Sequence, residues 1–310
     1  MSINKKALVI GDLILDTYII GEINRISPEA PVPVLLQNNH YNVLGGALNV
    51  ARNLNNLNNK VFVIGNVGDD KPSKSMFDIM KNEKINTKDI IINNKILTSQ
   101  KTRFVANNQQ LLRLDVEQNC FTKKNEANLI KKMGSVIKKM DFVIISDYNK
   151  GVCSDLLVQK TIQSSIKSKI KVFIDPKGSN FQKYENAYCI TPNIKEAMEV
   201  YKSKLDTDKD FELACKYICE SYNIETCIIT RGKDGMTVFD SKKVNHIKSK
   251  AKDVFDVSGA GDTVIATLST FHARGKSLIE SAKIANLAAQ YVIKKFGTTP
   301  IKEDALTKYL

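Results

Sequence analysis

The residues best suited to chemistry lie in one short segment, Asp256–Thr263, which precedes an amphipathic helical pattern. Gly259 and Gly261 let the backbone approach a ligand closely and adopt turns that larger residues avoid. A small-residue turn at a helix start directs several backbone N–H groups at one point, where an anion is favoured. An aspartate beside a bound phosphate, here Asp262, can accept the proton of an attacking hydroxyl. The alternative is a capped helix start with an acidic first turn.

Two segments nearer the start of the chain place ligand-binding residue types at a helix start and at a strand end. Gly45 and Gly46 precede a helical pattern with Asn49 one turn in, and an amide both donates to and accepts from sugar hydroxyls. A simple tight turn is the alternative for the glycine pair. Asp12 follows the first apolar run, where the carboxyl ends of strands in open α/β sheets meet ligands. A carboxylate there can hold a polyol through two hydroxyls.

Two later segments contain residues expected around a nucleotide. Asn193 and Glu196 are three apart after a strand, so one helical turn places them on the same side. Through water they can position a Mg²⁺ ion bound to a nucleotide, because this ion keeps several waters. Thr230, Gly232 and Gly235 lie at another strand end and can border the nucleotide, with a hairpin turn as the alternative.

Several functional classes lack their sequence signatures. No Gly-x-x-x-x-Gly-Lys-[Ser/Thr] occurs and no Gly-x-Gly-x-x-Gly follows the first strand, which argues against P-loop NTPases and dinucleotide dehydrogenases. The three histidines have no metal spacing, and no further ligand pair stands near Cys215 and Cys219. The net charge of +13 is spread along the chain without a basic-aromatic module, which favours a solvated surface over nucleic-acid binding.

The composition predicts a globular protein without a membrane partner. Apolar residues make up 43% and charged residues 25%, values typical of chains that bury a sizeable core. No run of about 18 apolar residues occurs, and the short apolar start lacks the length and cleavage site of a signal peptide. We therefore expect a cytoplasmic protein whose six cysteines are reduced.

Short apolar runs alternate with helical patterns along most of the chain. Six runs have the nearly continuous apolar character of strands that are covered on both faces. Helices are predicted over Gly46–Asn58, Gly261–Ala273 and Leu278–Phe296. This alternation predicts an α/β fold with a mostly parallel sheet and helices on both faces. The predicted strands are Lys6–Ile10, Val61–Ile64, Phe142–Ser146, Val172–Asp175, Tyr188–Thr191 and Thr226–Thr230.

Two segments, about 13–39 and 96–117, interrupt this alternation with β-rich and turn-rich sequence. Three prolines prevent a helix in the first segment. In the second, Arg103–Asn107 and Leu111–Asp115, joined by Asn108-Gln109-Gln110, have the pattern of a hairpin. We expect a single domain over 1–310, with a small β lid built from these two insertions.

Taken in their order along the chain, these motifs resemble those of the ribokinase-type carbohydrate kinases. The resemblance covers nearly the whole chain and departs from the usual pattern mildly at Ser258, where threonine is common. It implies a ribokinase-like fold and a kinase that uses ATP with Mg²⁺, in many members together with K⁺. The matching patterns are Gly45-Gly46-x-x-Asn49, Gly65-x-x-Gly68-x-Asp70, Asn193-x-x-Glu196 and Asp256-x-x-Gly259-Ala260-Gly261-Asp262.

The resemblance also implies roles for individual residues. Asp262 is the base, and the backbone amides of Gly259, Ala260 and Gly261 form an anion hole. Because the lid often mediates dimerisation in the family, a homodimer is expected. The residues expected near the nucleotide and its Mg²⁺ are Asn193, Glu196, Thr230, Gly232, Gly235 and Asn286, and those near the sugar are Asp12, Gly45, Gly46 and Asn49.

Within the family, four further segments resemble the heptose 7-phosphate kinases of ADP-heptose synthesis. Those kinases act on D-glycero-β-D-manno-heptose 7-phosphate for surface polysaccharide and are often fused to a C-terminal nucleotidyltransferase. The resemblance implies the kinase half alone, so the second activity is expected of a separate protein. The resembling segments are Arg25–Pro33, Asn108–Asp115, Ser146–Gly151 and Asp175–Gly178.

A phosphorylated sugar needs cationic partners, and arginine suits bidentate contact with phosphate. One alternative is a kinase of the same fold for another sugar or sugar phosphate. The other is a non-catalytic sugar- or nucleotide-binding protein, against which the intact Asp262 and glycine turn speak. The candidate cations, which lie in the lid segments or at a strand end, are Arg25, Lys101, Arg103, Arg113 and Lys177.

Overall fold

The computed structural model describes residues 4–107, 109–118, 122–249, 256–295 and 297–309, in which strands and helices alternate as the apolar patterns predict. The strands are β1 (Lys6–Gly11), β2 (Leu13–Ile26), β3 (Pro33–Gly46), β4 (Lys60–Val67), β5 (Ile90–Ile92), β6 (Ser99–Ala106), β7 (Gln109–Val116), β8 (Phe142–Ser146), β9 (Lys171–Asp175), β10 (Cys189–Ile190), β11 (Thr226–Thr230), β12 (Met236–Phe239) and β13 (Val244–Ile247). The helices are α1 (Ala47–Asn56), α2 (Lys71–Asn82), α3 (Lys123–Val136), α4 (Asp155–Lys167), α5 (Ile194–Tyr201), α6 (Asp208–Tyr222), α7 (Ala260–Ala273) and α8 (Leu278–Val292).

Within the described residues, nine strands form one large sheet in the order β13-β12-β11-β10-β9-β8-β1-β4-β5. The strands from β11 to β5 pair in parallel, whereas β12 and β13 extend one edge as antiparallel partners. Parallel neighbours need long crossover connections, which the helices supply for most of the sheet. The predicted α/β class, with a mostly parallel sheet, is confirmed.

Successive side chains of β1 fall into two apolar clusters, one on each face of the large sheet. Leu8 and Ile10 pack with side chains of α3, α4, α5 and α6, while Ala7 and Val9 pack with those of α1, α2, α7 and α8. Because neighbouring strand residues point to opposite faces, a strand covered on both sides must be apolar throughout. This arrangement explains the continuous apolar runs and confirms helices on both faces.

A second, four-stranded sheet within the described residues has the order β3-β2-β6-β7. β2 pairs with β3 and β6 pairs with β7, each pair antiparallel, so the hairpin predicted in the second segment is present. Gln109 and Gln110, predicted in the loop, belong to β7, and Asn108 lies outside the described residues. Strand β3 runs past position 39, where the predicted insertion ends, to Gly46 and leads directly into α1. The small sheet therefore delivers the glycine pair to the helix that carries Asn49.

Three short strands, β5, β12 and β13, are not among the predicted elements. All four residues of β13 are half-buried, because an edge strand is less covered than a central one, and this weakens its apolar signal. Helix α8 ends at Val292, while Phe296, the predicted end, lies outside the described residues. Among the helices in the described ranges, none has the length and apolar character needed to span a bilayer.

Candidate active site

The candidate base Asp262 lies in the first turn of α7 and is 3% exposed. Of the described residues, two donate hydrogen bonds to its carboxylate: Asn49 Nδ2 to Oδ2 at 2.7 Å and Tyr148 Oη to Oδ1 at 2.8 Å. Burial raises the pKa of Asp262 to about 6, and these two donors oppose the rise. A carboxylate with this pKa is ionised at neutral pH and accepts a proton readily, as a general base must.

The turn before this carboxylate needs a glycine at position 259 but not at position 261. Gly259 has a φ of 76°, and a Cβ atom on it would lie 2.5 Å from Asn49 Nδ2. Glycine is therefore required for the backbone angle and for the approach of Asn49. Gly261 has open space where a Cβ would point, and it lines a cavity beside the carboxylate of Asp262. In the predicted anion hole, the Ala260 N–H donates within the turn, to the Val257 carbonyl oxygen at 3.2 Å.

Asp12, predicted to hold the sugar, holds a loop instead. Its carboxylate accepts hydrogen bonds from the backbone N–H groups of Tyr148 at 2.9 Å, Lys150 at 3.1 Å and Val152 at 3.0 Å, and the residue is buried. It is not among the residues that line the cavity at Asp262. Because Asp12 is 1% exposed and does not line this cavity, its placement does not support direct binding of a polyol.

Asp16 on β2 is the acidic side chain that the glycine pair accommodates, and the sequence analysis missed it. A Cβ atom on Gly45 would lie 2.3 Å from Asp16 Oδ2, so the missing side chain makes room for this carboxylate. Arg103 Nη1 donates to Asp16 Oδ1 at 2.7 Å. The charge of Asp16 also raises the pKa of Asp262, which indicates that the two carboxylates face the same region. Gly46, with a φ of 56°, ends β3 beside them.

Three of the predicted phosphate-binding cations share one face of the small sheet. Lys101 and Arg103 are two apart on β6, and Arg113 lies directly opposite Arg103 on β7. Arg113 pairs with Asp115 at 2.7 Å. Lys101 has no carboxylate within ion-pair distance among the described residues. Its Nζ lies 5.4 Å from the ring centre of Tyr148, and burial lowers its pKa. A half-buried cation in this state is suited to an anionic ligand group.

Lys177, Asn193 and Glu196 lie beside Asp262 around a cavity of about 160 Å³. Lys177 Nζ donates to Glu196 Oε1 at 2.8 Å. Asn193 and Glu196 form the capping box that begins α5, with each backbone N–H donating to the other side chain at 3.0 Å. The box thus has a structural role and also fixes the Glu196 carboxylate at the cavity. Arg25, in contrast, is exposed towards the distal end of β2.

Asp175, at the end of β9, is a further carboxylate in this cavity that the sequence analysis did not single out. Burial raises its pKa well above the usual range, and the charges of Asp262 and Glu196 raise it further. The signal that could have identified it is its position at a strand end, the same signal that drew attention to Asp12. Carboxylate oxygens around a small cavity suit a hard divalent cation.

A second cavity of about 160 Å³ adjoins the first and shares Thr230 and Gly261 with it. Gly232, Gly235 and Asn286 also line it. Together with Thr230, they are the remaining residues that were predicted near the nucleotide, and the structure brings them together. Its walls are mostly apolar, as suits a flat aromatic base. The apolar side chains are Met236, Val257, Val264, Ala289 and Ile293.

A larger cavity of about 770 Å³ lies at the opposite, amino-terminal ends of the strands and is lined by none of the predicted site residues. Its wall includes Lys171 at the start of β9 and Glu225 just before β11. Ligands of open α/β sheets bind beyond the carboxyl ends of the strands, where the two smaller cavities meet. Chemistry and topology therefore locate the site better than volume does.

The residues that build this site lie within a match to a known family. Residues 4–305 match the model of the pfkB family carbohydrate kinases. The chain belongs to this family. Membership of the pfkB family confirms the predicted enzyme class, a sugar kinase.

Curated relatives of this pfkB chain are longer proteins. The bifunctional protein HldE of Sulfurimonas denitrificans is 38% identical over 309 residues, which cover 99% of this chain and 65% of the relative. The bifunctional protein HldE of Campylobacter concisus is 44% identical over 295 residues, which cover 94% of this chain and 62% of the relative. The chain thus spans less than two thirds of the length of these relatives.

Solved structures of low sequence identity share the fold of this pfkB chain. Phosphofructokinase-2 from Escherichia coli in complex with potassium has a TM-score of 0.81 at 18% identity, covering 98% of this chain and 97% of that one. Ribokinase from Arabidopsis thaliana, complexed with ribose and ATP, has a TM-score of 0.77 at 16% identity, covering 98% of both chains. These likenesses confirm the ribokinase-like fold.

Proposed function

We propose that this pfkB kinase transfers the γ-phosphoryl group of ATP to the anomeric hydroxyl of D-glycero-β-D-manno-heptose 7-phosphate. The product, the 1,7-bisphosphate, would serve ADP-heptose synthesis for lipopolysaccharide. The observation that carries this proposal is the position of Asp262, buried at a glycine turn between the nucleotide-side cavity and the cation-bearing face of the small sheet. The HldE relatives and the resemblance of Ser146–Gly151 and Asp175–Gly178 to heptose kinases support the choice of sugar.

In the proposed reaction, Asp262 accepts the proton of the anomeric hydroxyl as its oxygen attacks the γ-phosphorus and the bond to ADP breaks. Backbone amides of the glycine turn stabilise the negative charge that spreads over the transferred group. Glu196 and Asp175 would hold a Mg²⁺ ion through water beside Asn193, and such an ion would neutralise charge on the phosphates. Closure of the small sheet as a lid excludes water that would otherwise hydrolyse ATP.

The sugar end of the proposed site is formed by the small sheet and α1. Asp16 accepts hydrogen bonds from sugar hydroxyls, the role that the sequence predicted for Asp12, and Asn49 borders the same space. Lys101, Arg103 and Arg113 bind the 7-phosphate, with arginine making bidentate contacts. The unpaired state of Lys101 among the described residues is what supports a phosphate at this position.

A panel of sugars assayed for ADP release with ATP tests the choice of substrate. We expect the highest kcat/KM for heptose 7-phosphate and much lower values for unphosphorylated heptose, ribose and fructose 1-phosphate. Equal kcat/KM with and without the 7-phosphate would contradict the phosphate site, and a preference for another sugar would support the second candidate, a ribokinase-family kinase of different specificity. No ADP release with any sugar would favour a non-catalytic binding protein.

The rate of phosphorylation should fall as the pH decreases through about 6. Asp262 must be ionised to accept a proton, and burial raises its pKa to about 6. The value of kcat/KM should therefore be near its plateau above about pH 7 and fall about tenfold per unit below about pH 5. A profile of kcat/KM against pH checks this, and a rate that does not change between about pH 5 and 7 would contradict it.

Replacing Gly261 with alanine should weaken nucleotide binding without weakening the fold. The methyl group would project into open space where the two cavities meet. Alanine is favoured over glycine inside a helix by about 0.5–1 kcal/mol, so the unfolding temperature should be unchanged or higher. We expect the KM for ATP to rise by roughly tenfold or more.

The matched control is Gly134→Ala in α3, where no atom lies within 4 Å of the Cβ position either. This variant should show the same stability gain with an unchanged KM for ATP. If Gly261→Ala also left the KM unchanged, the turn would not border the nucleotide.

We propose that two chains associate through the small sheet. Leu112 and Leu114 are 61% and 52% exposed and lie on the face opposite Arg113, away from the site. The double variant Leu112→Lys/Leu114→Lys should dissociate the dimer in light-scattering measurements, whereas Leu156→Lys on α4 should not. A wild-type protein that is monomeric at high concentration would contradict the proposal. The exposed apolar side chains on the strands of this sheet are Ile26, Leu36, Leu111, Leu112 and Leu114.

ATP as the phosphoryl donor and reduced thiols fit a cytoplasmic enzyme in this proposal. The five described cysteines are buried and free, while Cys120 lies outside the described residues. The potassium held by the E. coli relative makes activation by K⁺ a further part of the proposal. Comparing rates in potassium and choline salts of equal ionic strength tests this part.

A further inference from the structure

The loop from Asp147 to Val152, between β8 and α4, wraps around a buried carboxylate. Its N–H groups at positions 148, 150 and 152 all donate to Asp12. The backbone reaches this arrangement with positive φ values at Asn149, 58°, and Gly151, 98°. Alternation of this kind turns successive N–H groups towards one point and makes a concave anion site. The Asp12 side chain occupies that site from the end of β1.

A second buried carboxylate anchors the same loop from the other side. Asp147 accepts hydrogen bonds from Lys183 Nζ at 2.5 Å, Tyr184 Oη at 2.7 Å and the Asn149 N–H at 2.7 Å. Asp147 is 2% exposed and Lys183 is 8% exposed, so this ion pair is shielded from water. Removing either partner of such a pair is strongly destabilising, and the loop is therefore held in one conformation.

Tyr148 is the residue that this fixed loop presents to the candidate base. Its hydroxyl donates to Asp262 Oδ1 at 2.8 Å, and its ring lines the cavity at the base. The ring also lies 5.4 Å from Nζ of Lys101, which places Tyr148 between the base and the small sheet. Burial, with the charge of Asp262 next, raises the pKa of Tyr148 well above its usual value, so the hydroxyl stays a donor across the working range of pH.

We propose that Tyr148 is a positioning residue for the kinase reaction, whose hydroxyl orients the Asp262 carboxylate towards the acceptor hydroxyl and stabilises its charged form. This inference rests on the proposed role of Asp262 as the base. In the reaction, the O–H bond of the sugar breaks, its proton passes to Asp262, and the new bond forms to the γ-phosphorus. Tyr148 keeps its own proton throughout and supplies only a hydrogen bond.

Several charged groups face Asp262, and Tyr148 differs from them because it is neutral and donates a hydrogen bond to the carboxylate. Of the described residues, only Asn49 and Tyr148 donate hydrogen bonds to the carboxylate. Hydrogen bonds to an ionised carboxylate favour its ionised form. Losing one of the two would therefore let burial raise the pKa of Asp262 further. The charged groups that act on Asp262 or share its cavity, by element, are Asp16 on β2, Lys101 on β6, Asp147 after β8, Asp175 and Lys177 at and after β9, and Glu196 on α5.

The test compares Tyr148→Phe with Tyr184→Phe, which removes a buried hydroxyl that donates to Asp147 at a similar distance. In Tyr148→Phe we expect the acid limb of kcat/KM to move to higher pH by about one to two units. Activity should fall most near pH 6 and recover towards the wild-type value at alkaline pH. In Tyr184→Phe the limb should stay in place, although the unfolding temperature falls. An unmoved limb in Tyr148→Phe, or equal shifts in both variants, would overturn the proposal.

A readout that needs no substrate separates this inference from the choice of sugar. Carbon-13 NMR of the side-chain carboxyl carbons of free enzyme follows the titration of Asp262 directly, with the signal assigned by its absence in Asp262→Asn. The midpoint should rise by about one to two pH units in Tyr148→Phe and stay unchanged in Tyr184→Phe. An enzyme inactive on heptose 7-phosphate would contradict the proposed substrate, whereas an unchanged midpoint would contradict the role of Tyr148.

Discussion

Replacing Asp262 with asparagine is expected to lower kcat by about 10²–10⁴-fold, because the amide cannot accept the proton of the sugar hydroxyl. Both oxygens of the carboxylate are held by donors, Asn49 and Tyr148, so the group that accepts the proton is fixed in place. Its burial also gives it the raised pKa, about 6, of a carboxylate suited to proton transfer. The measurement is steady-state turnover of heptose 7-phosphate with ATP.

The fold of the Asp262→Asn variant should be retained, because asparagine has nearly the same shape and keeps one oxygen that can accept a hydrogen bond. Thermal unfolding and ATP affinity close to the wild-type values would show that only the chemical step is lost. Asp78→Asn, an exposed position on α2, is the matched control and should leave kcat unchanged. Turnover of Asp262→Asn near the wild-type rate would exclude Asp262 as the base.

Replacing Lys101 with methionine is expected to lower kcat/KM for heptose 7-phosphate by roughly 10²–10³-fold. Lys101 is half-buried, has no ion-pair partner among the described residues, and has a pKa lowered by burial. The charges of Asp16 and Asp115 offset its burial only in part, and an anionic group of the substrate would offset it further. Methionine keeps most of the length and apolar stem of the side chain while removing the charge, so the cross-strand packing of β6 is preserved.

The control for Lys101→Met is the substrate itself. At alkaline pH, where Asp262 stays ionised even without the nearby charge of Lys101, unphosphorylated heptose should be turned over by the variant and the wild type at similar rates. Lys160→Met, at an exposed position on α4, should affect neither sugar. An equal loss for both sugars would place Lys101 in the chemistry or the fold, and the 7-phosphate would need another partner.

The sequence predicted those parts of the fold that local chemistry determines. The central strands were identifiable because burial on both faces demands apolar residues at every position, as in Phe142–Ser146. The glycine turns before α1 and α7 were identifiable because positive φ and close packing restrict Gly46 and Gly259 to glycine. The edge strand β13 was not identified because all four of its residues are half-buried, and the neighbouring β12, although mostly buried, has only four residues.

The choice between Asp12 and Asp16 depends on contacts that the sequence does not contain. Both follow or lie within apolar segments near the first strand, and position alone favoured Asp12. Asp12 accepts hydrogen bonds from backbone N–H groups about 140 residues away. Asp16, in contrast, is positioned by the pairing of β2 with β3 and β6. Which carboxylate faces the site is decided by this long-range register.

Tyr148 and Asp175 illustrate the same limit for the site. Tyr148 lies two residues after β8 and Asp175 ends β9. Both fall in segments that resemble the heptose kinases, but that resemblance gave neither residue a role in the site. Their proximity to Asp262 follows from the strand order, which brings the carboxyl ends of distant segments together. Conversely, Glu196 was found by its spacing from Asn193, since a capping box is a local pattern.

Phosphorus NMR and mass analysis of the product formed from ATP and heptose 7-phosphate test the central claim most directly. We predict a sugar with two phosphates, one on C7 and a new one on the anomeric oxygen, whose signal couples to the anomeric proton. ADP should form in equal amount, and Asp262→Asn should yield neither product at a comparable rate. A new phosphate on any other hydroxyl, or hydrolysis of ATP with the sugar unchanged, would contradict the account.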